Sequence, residues 1–467
     1  MIELSTSVRN LLSAELAWHY QVIPLGEENG ALELAASSDA ISKGLDKELR
    51  AVLGRNVQLK QKGLIEIEQA LETFYGRDVA DNGVINISRD GDVIDQFIQE
   101  AKRIGSSDIH IEVYEEGARV RMRVDGQLIE RSHIALEDYP AIVNKVKIKA
   151  NLDIAEKRLP QDGRITATHD GDAIDLRVSI LPSLFGEKIV LRLLNRDATS
   201  IDLEKLGMAN DHRSIFLNAC KKPQGLVLIS GPTGSGKTTT LYATLKELNT
   251  EKRNILTVED PVEYTLEGIN QVQLNEGIGL TFAKALRTFL RQDPDVIMLG
   301  EIRDSETAEM AIRAALTGHL VLSTIHTNSA WGTIERLIDM GVPSFLLANT
   351  LNLSVAQRLV RKLCDKCKKQ KSIRKSEIPF VLTESGELTV FEPIGCSSCF
   401  HTGYKGRIAI YEMISSSQIL TDSIRENDLT EEEVLLKLNI EPLQIQAKNL
   451  LVKGISSVEE LFGILSQ

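Results

Sequence analysis

The stretch Gly225-Leu-Val-Leu-Ile-Ser-Gly-Pro-Thr-Gly-Ser-Gly-Lys-Thr-Thr-Thr240 decides the fold class of this chain. Its first part, Leu226 to Ile229, is an unbroken apolar run, which is typical of a strand buried in a parallel sheet. A glycine-rich loop comes next, and a helical pattern then continues to Leu248. Because a strand, such a loop and a helix follow one another, the stretch predicts a phosphate-binding loop rather than a glycine-rich turn that binds nothing.

The loop supplies each part that a nucleotide site requires. Its glycines let backbone N–H groups converge on an anion at the positive end of a helix. Lys237 can reach the β- and γ-phosphates, and Thr238 can give a hydroxyl ligand to Mg2+. The sequence therefore predicts a nucleotide-binding protein. The expected nucleotide contacts are nine consecutive residues: Gly231, Pro232, Thr233, Gly234, Ser235, Gly236, Lys237, Thr238 and Thr239.

Composition limits the class of protein. A chain of 467 residues should hold about three domains, at roughly 150 residues each. A net charge of −12 argues against bulk electrostatic binding to nucleic acid. No apolar run approaches the ~18 residues of a membrane span, and the N-terminus lacks the regions of a signal peptide. We therefore expect a soluble, cytoplasmic protein.

Three domains are predicted along the chain. Residues 1–80 combine a strand pair around the Glu27–Gly30 turn with helices at 42–53 and 65–75, which predicts a small α/β domain that docks a partner. Residues 77–83 are polar and predict a linker. In 84–200, arginines alternate with apolar residues from Arg119 to Val124, so this part predicts half-buried strands in an α+β domain.

The third predicted domain, 201–467, contains the phosphate loop. Strands alternate with helices over 201–360, which predicts a parallel sheet with helices on both faces. Three further strands, at 255–260, 295–301 and 319–327, end in polar groups. Ligands of such sheets lie beyond the carboxyl ends of the strands, so these polar groups are candidate site residues.

Phosphoryl transfer to water needs a held metal ion, a group that orients water, and cations for the developing charge. Many phosphate-loop enzymes end the second acidic strand in Asp-Glu, but here that pair is Gly300-Glu301. We assign Glu301 to the Mg2+ shell, directly or through water, and Glu259 to the attacking water, with the opposite assignment left open. His326 ends the third strand, where it would sense the γ-phosphate or serve as a structural histidine.

Four cysteines form two Cys-x-x-Cys pairs separated by 28 residues, Cys364 with Cys367 and Cys396 with Cys399. This arrangement is typical of a structural Zn2+ site, with a redox pair or free thiols as the alternatives. A closed four-thiolate site leaves no open coordination position, so we expect a role in folding.

A basic segment, 361–371, surrounds the first cysteine pair. It predicts either a solvated face or a contact with anionic lipid at a membrane surface. Few aromatic residues interleave with it, so no nucleic-acid platform is expected.

Together these motifs resemble the secretion ATPase family, which powers type II secretion and type IV pilus assembly. The resemblance covers residues from about 90 to 415. The matching stretches are Gly105-Ser-Ser-Asp-Ile-His-Ile-Glu112, Arg158-Leu-Pro-Gln-Asp-Gly-Arg164, Gly231-Pro-Thr-Gly-Ser-Gly-Lys-Thr238, Val258-Glu-Asp-Pro-Val-Glu263, Leu290-Arg-Gln-Asp-Pro-Asp295, Gly300-Glu-Ile-Arg-Asp304, and Thr317-Gly-His with Ser323-Thr-Ile-His-Thr-Asn328.

The resemblance implies an α/β architecture: a RecA-like phosphate-loop motor with a four-cysteine zinc insert at 361–405, a PAS-like middle domain, and a small N-terminal domain. It also implies a homo-hexamer that binds ATP between the middle and motor domains. By position, Arg177 and Arg192 resemble the family's middle-domain arginines, and Arg291 and Arg407 those of the motor. Arg192 lies among apolar neighbours, where an unpaired charge would be costly, so a partner such as phosphate is expected. Arg177 has Asp175 and Glu187 as alternative partners.

The function that the resemblance implies is ATP hydrolysis that drives assembly of a pilus-like fibre for type II secretion. Such a motor lies at the bacterial inner membrane, where residues 1–80 would bind the cytoplasmic region of a membrane protein. The long N-terminal region and the cysteines favour assembly over retraction. Alternatives are a type IV pilus extension motor, a nucleic-acid-translocating motor, and a nucleotide-gated scaffold with little turnover.

Overall fold

A computed structural model describes residues 8, 11–12, 14–28, 30–42, 44–75, 92–169, 172–194, 202–204, 206–374, 387–426 and 430–466. The chain divides into two compact units, Met1–Phe97 with Glu130–Ala135 and Ile98–Ile129 with Leu136–Gln467. The predicted linker at 77–83 lies outside the described residues. Within the described ranges no helix is long and apolar enough to cross a membrane.

The first unit contains a three-stranded sheet packed against helices. The first two strands are antiparallel and the last two are parallel. This confirms the predicted strand pair. The helix predicted at 42–53 begins later, at Leu45, because Gly44 adopts a left-handed φ of 79° before it, and Ser42 ends a separate short helix. The elements are β1 (Ile23–Glu28), β2 (Ala31–Ala36), β3 (Val57–Gln61), α1 (Ala14–Tyr20), α2 (Ser38–Ser42), α3 (Leu45–Leu53) and α4 (Leu64–Tyr75).

The next part of the chain is an antiparallel sheet. Its elements are α5 (Val93–Ile104), β4 (Ser106–Val113), β5 (Ala118–Val124), β6 (Gln127–Ile134), α6 (Tyr139–Lys149), β7 (Gln161–His169), β8 (Asp172–Ser183) and β9 (Gly186–Leu194). Neighbouring strands run in the order β5-β4-β9-β8-β7. Val120 and Met122 are buried on one face, while the alternating arginines lie on the other, as their period of two predicts.

The polar face of this sheet is organised around Glu112 of β4. Its carboxylate accepts hydrogen bonds from Arg121 at 2.8 Å and Arg119 at 3.2 Å, and Lys188 lies 2.9 Å away. Burial acts to raise the pKa of Glu112, but the hydrogen bonds from Arg121 and Lys188 outweigh it and lower that pKa from 4.5 to about 2. The charged form of Glu112 therefore stabilises the folded sheet.

The phosphate loop belongs to a seven-stranded sheet in the order β12-β11-β13-β14-β10-β15-β18. The strands are β10 (Gly225–Ser230), β11 (Ile255–Glu259), β12 (Asn270–Gln273), β13 (Val296–Leu299), β14 (Leu320–Ile325), β15 (Leu351–Leu363) and β18 (Tyr404–Ser415). Only the pairing of β15 with β18 is antiparallel among these strands. The carboxyl ends of the others therefore meet at one edge, where sites of such sheets form.

Helices cover both faces of this sheet, as the alternation of strands and helices predicts. Leu226 and Leu228 of β10 pack into one core, while Val227 and Ile229 pack into a second core on the opposite face. This explains the unbroken apolar run. The helices are α7 (Asn210–Cys220), α8 (Lys237–Leu248), α9 (Phe282–Phe289), α10 (Ser305–Leu316), α11 (Ala330–Asp339), α12 (Ser344–Thr350), α13 (Gln418–Glu426), α14 (Glu431–Leu438), α15 (Leu443–Val452) and α16 (Val458–Leu465); a hairpin of β16 (Lys369–Arg374) and β17 (Glu387–Glu392) completes the elements.

We predict that Glu112→Gln makes the protein less stable at neutral pH and that this loss fades in acid. The folded-state pKa of Glu112 lies below its ordinary value, so its stabilising effect is complete above about pH 4.5 and is lost as pH falls toward about 2. The measurement is the midpoint of thermal unfolding at pH 7, 5 and 3 for wild type and variant. Glu115→Gln, in the exposed turn after β4, is the control. A difference between wild type and Glu112→Gln that is equal at pH 7 and pH 3 would contradict the account.

Candidate functional site

The phosphate loop lies between β10 and the start of α8, as the sequence predicts. Gly231, Gly234 and Gly236 have φ values of 145°, 81° and 87°, which favour glycine. Pro232, Thr233, Gly234 and Thr238 are exposed. The loop and the amide groups at the start of α8 thus form an accessible cradle for an anion.

Lys237 lies folded against this loop, with its side-chain amine largely buried. Its Nζ donates hydrogen bonds to the carbonyl oxygens of Gly231 at 2.8 Å and Pro232 at 3.0 Å. Burial lowers the pKa of Lys237, with a smaller lowering from Arg358, while Glu301 acts in the opposite direction. Glu301 is therefore within electrostatic reach of the loop lysine.

Glu259 ends β11 and is buried beside α8, with 3% of its surface exposed. Its Oε1 accepts hydrogen bonds from Thr257 Oγ1 at 2.6 Å and Gln271 Nε2 at 3.1 Å. Its Oε2 accepts one from the Tyr242 hydroxyl. Burial and the adjacent Glu259 carboxylate raise the pKa of Tyr242, so this hydroxyl remains a donor at neutral pH. Three donors hold the Glu259 carboxylate in one orientation.

Glu301 follows β13 and is more accessible, with 17% of its side chain exposed. It forms an ion pair with Arg303, which also lies 3.6 Å from Asp260 Oδ2. His326 Nε2 lies 3.2 Å from Glu301 Oε2. The structure thus brings together the carboxylate predicted to hold Mg2+ and the histidine predicted to sense phosphate.

The arginines expected in the middle domain lie in one row across the antiparallel sheet. Arg177 pairs with Arg164 on one side and with Arg192 on the other, and Arg192 pairs with Asp108. Like charges directly opposite each other on neighbouring strands are destabilising. The row is therefore suited to an anion that several arginines share.

The expectation that Arg192 is surrounded by apolar groups is wrong. Its side chain is 56% exposed, and its Nε lies 2.8 Å from Asp108 Oδ1. The reason is the period of two in β9, where the apolar neighbours Leu191 and Ile189 point into the core and Arg192 points out. Arg192 is exposed and already has Asp108 as a partner. Its surroundings therefore do not by themselves require a phosphate.

Arg177 is half-buried in the same row. Of its two alternative partners, Glu187 pairs with Lys147 at 2.7 Å and Asp175 accepts a hydrogen bond from Thr166 at 2.9 Å. Arg177 Nη2 is buried and has no hydrogen-bond partner among the described residues. A buried guanidinium nitrogen without an acceptor is costly, which favours a ligand with oxygen atoms here.

Arg407 of β18 lies beside the phosphate loop. Its Nε is 3.4 Å from Asp125 Oδ1, and the neighbouring Gly406 N–H donates to Asp125 Oδ2 at 2.7 Å. Arg407 lines a cavity of about 440 Å³ together with the loop residue Gly234. The complete lining is Asp125, Gly126, Gln127, Gly234, Leu359, Arg361, Arg407 and Glu460.

Arg291 does not line this cavity. It is exposed beyond the end of α9, and its Nη1 donates to the Arg287 carbonyl at 3.0 Å. The structure therefore brings one of the two predicted motor arginines to the loop of the same chain.

Sequence reasoning missed several side chains around the loop. Tyr242 and Gln271 orient Glu259, and buried Gln357 and Arg358 of β15 lie against the loop and its neighbours. Gln357 and Arg358 are two adjacent polar residues between apolar neighbours, Ala356 and Leu359, and this pair was the available signal. The contacts of Gln357 with Ser235 and of Arg358 with Asn328 join residues 122 and 30 positions apart in sequence, so no local spacing connects them.

The four cysteines predicted to bind metal come together at the base of the β16–β17 hairpin. Their Sγ atoms all lie within 4.8 Å of one another, with separations of 3.9 Å between Cys364 and Cys396 and 3.8 Å between Cys367 and Cys399. A tetrahedral zinc site with bonds of about 2.3 Å has sulfur atoms about 3.8 Å apart. The cluster therefore fits a bound metal, whereas a disulfide needs sulfur atoms about 2.05 Å apart.

Several side chains of the basic segment 361–371 have acidic partners. Arg361 donates to Glu460 at 2.8 Å and stacks 4.0 Å from the ring centre of Tyr404. Lys368 lies 2.7 Å from Asp365. These pairs support the interpretation as a solvated face, and the contact with anionic lipid stays a prediction.

A phosphate loop at the carboxyl edge of a parallel sheet, with glutamates at the ends of two other strands of that sheet, defines the class of phosphate-loop ATPases. Residues 88–463 match the family model described as Type II/IV secretion system protein, and residues 2–81 match the MshEN domain. The chain belongs to the type II/IV secretion system protein family. The predicted family, the α/β fold class and the ATPase activity are confirmed.

Relatives from both branches of the family are similar to this chain over most of its length. The type IV pilus assembly ATPase PilB of Myxococcus xanthus is 38% identical over 497 residues, covering 99% of this chain and 87% of the relative. The type II secretion system protein E of Aeromonas hydrophila is 40% identical over 449 residues, covering 89% of each. The crystal structure of the pilus retraction motor PilT with bound ADP aligns with a TM-score of 0.54 at 28% identity, over 79% of this chain and 95% of that one.

We predict that the purified protein contains about one zinc ion per chain and that Cys399→Ser loses it, since a closed site needs all four thiolates. Elemental analysis of the purified variants measures the metal content. The midpoint of thermal unfolding should fall together with the zinc content. Cys220→Ala is the matched control, because Cys220 is a buried cysteine outside the cluster. Zinc retained by Cys399→Ser, or a wild-type protein without metal, would contradict the assignment.

Proposed function

We propose that this protein is a hexameric motor that hydrolyses ATP to ADP and phosphate and so drives assembly of a pilus-like fibre for protein export by a type II secretion system. The observation that carries the proposal is the phosphate loop, where the amine of buried Lys237 donates to the Gly231 carbonyl at 2.8 Å and lies within electrostatic reach of Glu301. The names of relatives that are 38% and 40% identical support coupling of this activity to secretion or pilus assembly.

Different residues of the site bind the metal ion and activate the attacking water. Thr238 and Glu301 hold Mg2+, which supplies positive charge to the phosphates when bound. Glu301 is the more accessible carboxylate and interacts with Lys237 electrostatically, which supports this role. Glu259 orients and deprotonates the attacking water. The three donors that fix its carboxylate support this role, because a base must be held in one geometry.

The arginines stabilise negative charge on the phosphates. Arg407 reaches the nucleotide from β18, and Arg177 and Arg192 reach it from the antiparallel sheet. Their adjacent positions and the unpaired Arg177 Nη2 support this assignment. Arg291 is exposed away from the cavity, so we propose that it contacts nucleotide only in the assembled ring. His326 senses the γ-phosphate through its contact with Glu301.

The remaining parts connect the motor to its surroundings. Zn2+ held by the four cysteines stabilises the insert at 361–405. Residues 1–80 form a docking domain that binds the cytoplasmic region of an inner-membrane protein, and 84–200 and 201–467 form the middle and motor domains. The protein is cytoplasmic and peripheral at the bacterial inner membrane, with the basic segment 361–371 contacting anionic lipid.

Type IV pilus assembly is the second candidate, and the similarity to PilB over 99% of this chain favours it specifically. A nucleic-acid motor is opposed by the net charge of −12. A scaffold with little turnover would follow from the missing aspartate before Glu301, and the retained Glu259 opposes it.

We predict that Lys237→Ala lowers ATP turnover about 100-fold or more, because it removes a buried cation from the phosphate site. The measurement is phosphate release by purified protein, with and without DNA, and Lys246→Ala on the exposed side of α8 is the control. Normal turnover by Lys237→Ala would mean that the assigned site is wrong, and stimulation by DNA would favour the nucleic-acid motor.

The same variant, present at normal abundance in cells, separates the two export functions. Loss of extracellular proteins with surface pili intact would support the secretion motor. Loss of pili with secretion intact would identify the pilus extension motor. If neither changed, the export function would be contradicted.

We predict different defects for the two glutamates. Glu259→Gln should abolish turnover while ATP binding and its Mg2+ dependence stay normal, since only the water-activating group is lost. Glu301→Gln should raise the Mg2+ concentration needed for half-maximal turnover. Turnover and nucleotide binding are measured across a Mg2+ titration. The reverse pattern would show that the two roles are exchanged.

A further inference from the structure

Gln357 of β15 contacts both the phosphate loop and the helix that follows it. It has 1% of its surface exposed, and both ends of its amide are used. Its Nε2 donates to the Ser235 carbonyl at 2.8 Å, and its Oε1 accepts a hydrogen bond from Thr240 Oγ1 at 2.9 Å. One side chain therefore joins the loop to the first turns of α8.

Gln357 also explains two of the loop glycines. A Cβ atom at Gly231 would lie 2.4 Å from the Gln357 carbonyl oxygen, and one at Gly236 would lie 2.9 Å from Gln357 Nε2. Both separations are too short for real Cβ atoms. The loop can approach β15 this closely only with glycine at both positions.

The backbone of Gln357 is connected to a second strand end. Arg358, with 6% of its surface exposed, donates to the Gln357 carbonyl at 3.3 Å and to the Asn328 carbonyl at 2.7 Å. Asn328 lies in the turn after β14 that also carries His326. The position of Gln357 is thus fixed from two sides.

We propose that Gln357 is a positioning residue that orients a backbone amide of the phosphate loop and so sets the affinity for the phosphates of ATP. The proposal rests on the ATPase function proposed above. Ser235 C=O and Gly236 N–H belong to one planar trans peptide unit, so they point in opposite directions. Holding the carbonyl toward Gln357 therefore directs the Gly236 N–H away from β15, toward the anion cradle.

The expected kinetic effect distinguishes positioning from packing. The loop amides contact the phosphates in the ground state and in the transition state, so misorienting one raises KM with little change in kcat. A side chain that only fills the core would lower stability and leave KM unchanged.

The chain offers a closely matched control in Asn352. It lies on the same strand with 8% of its surface exposed, and its Nδ2 donates to the Gln224 carbonyl at 2.8 Å. It also packs against a glycine, because a Cβ atom at Gly225 would lie 2.3 Å from Asn352 Nδ2. Gly225 begins β10, at the opposite end of that strand from the loop.

The experiment compares Gln357→Glu with Asn352→Asp at pH 8, measuring KM for ATP with Mg2+, kcat and the thermal midpoint. Each substitution replaces a donor by an oxygen of the same shape. We expect Gln357→Glu to raise KM about tenfold, the effect of one lost hydrogen bond at a buried acceptor. We expect kcat to stay within about threefold of wild type, and Asn352→Asp to leave KM unchanged.

Two further readouts test the hydrogen bonds themselves. Gln357→Met removes both hydrogen bonds of the Gln357 amide without adding a charge, so it should raise KM as Gln357→Glu does. Thr240→Val should raise KM. Thr240→Ser keeps the hydroxyl, so its KM should stay near that of wild type. If Gln357→Glu does not fold, the Thr240 pair and Gln357→Met carry the test.

Unchanged KM in folded Gln357 and Thr240 variants would overturn the proposal, and so would an equal rise in Asn352→Asp. Lys237→Ala is measured beside them. If that variant hydrolyses ATP normally, the proposed ATPase site fails. If it is inactive while the Gln357 variants bind ATP normally, only the positioning role fails.

Discussion

The phosphate loop can form its cradle only because β10 and β15 lie side by side with no Cβ atom between the loop and β15. Gly231 and Gly236 meet this requirement, and Gln357 occupies the space that they leave. The parallel register then sets the rest of the site. Ser230 at the end of β10 pairs with Ile325 of β14 and with Ala356 of β15. The turn that carries His326 and the residue Gln357 are therefore both next to the loop.

Electrostatics around the loop follow from this geometry. The two glutamates at the ends of adjacent strands have different partners. Glu259 accepts hydrogen bonds from hydroxyl and amide donors, whereas Glu301 lies beside Arg303 and His326. A row of arginines on the antiparallel sheet contains one acidic residue, Asp108, between Arg192 and Arg123. The protein as a whole carries a net charge of −12, whereas this row is mainly basic and is suited to an anion.

The sequence alone predicts the parts of this protein that depend on local pattern. A few consecutive residues are enough to recognise each of three features: the strand–loop–helix unit, the half-buried arginine strand and each Cys-x-x-Cys pair. The apolar surroundings expected for Arg192 are not found, because its apolar neighbours in the strand occupy the opposite face of the sheet. The contacts of Gln357 and Tyr242 could not be predicted, since they join residues 122 and 17 positions apart in sequence through the sheet and helix packing.

The measurement that tests this account most directly is a structure of the protein with Mg2+ and a slowly hydrolysed ATP analogue. The account predicts the triphosphate on the backbone amides of Gly234 to Thr238, with the metal ion beside Thr238 and Glu301. Arg407 and Arg177 should each contact a phosphate oxygen. A triphosphate bound away from the loop, or a metal ion held by Glu259 without Glu301, would contradict it.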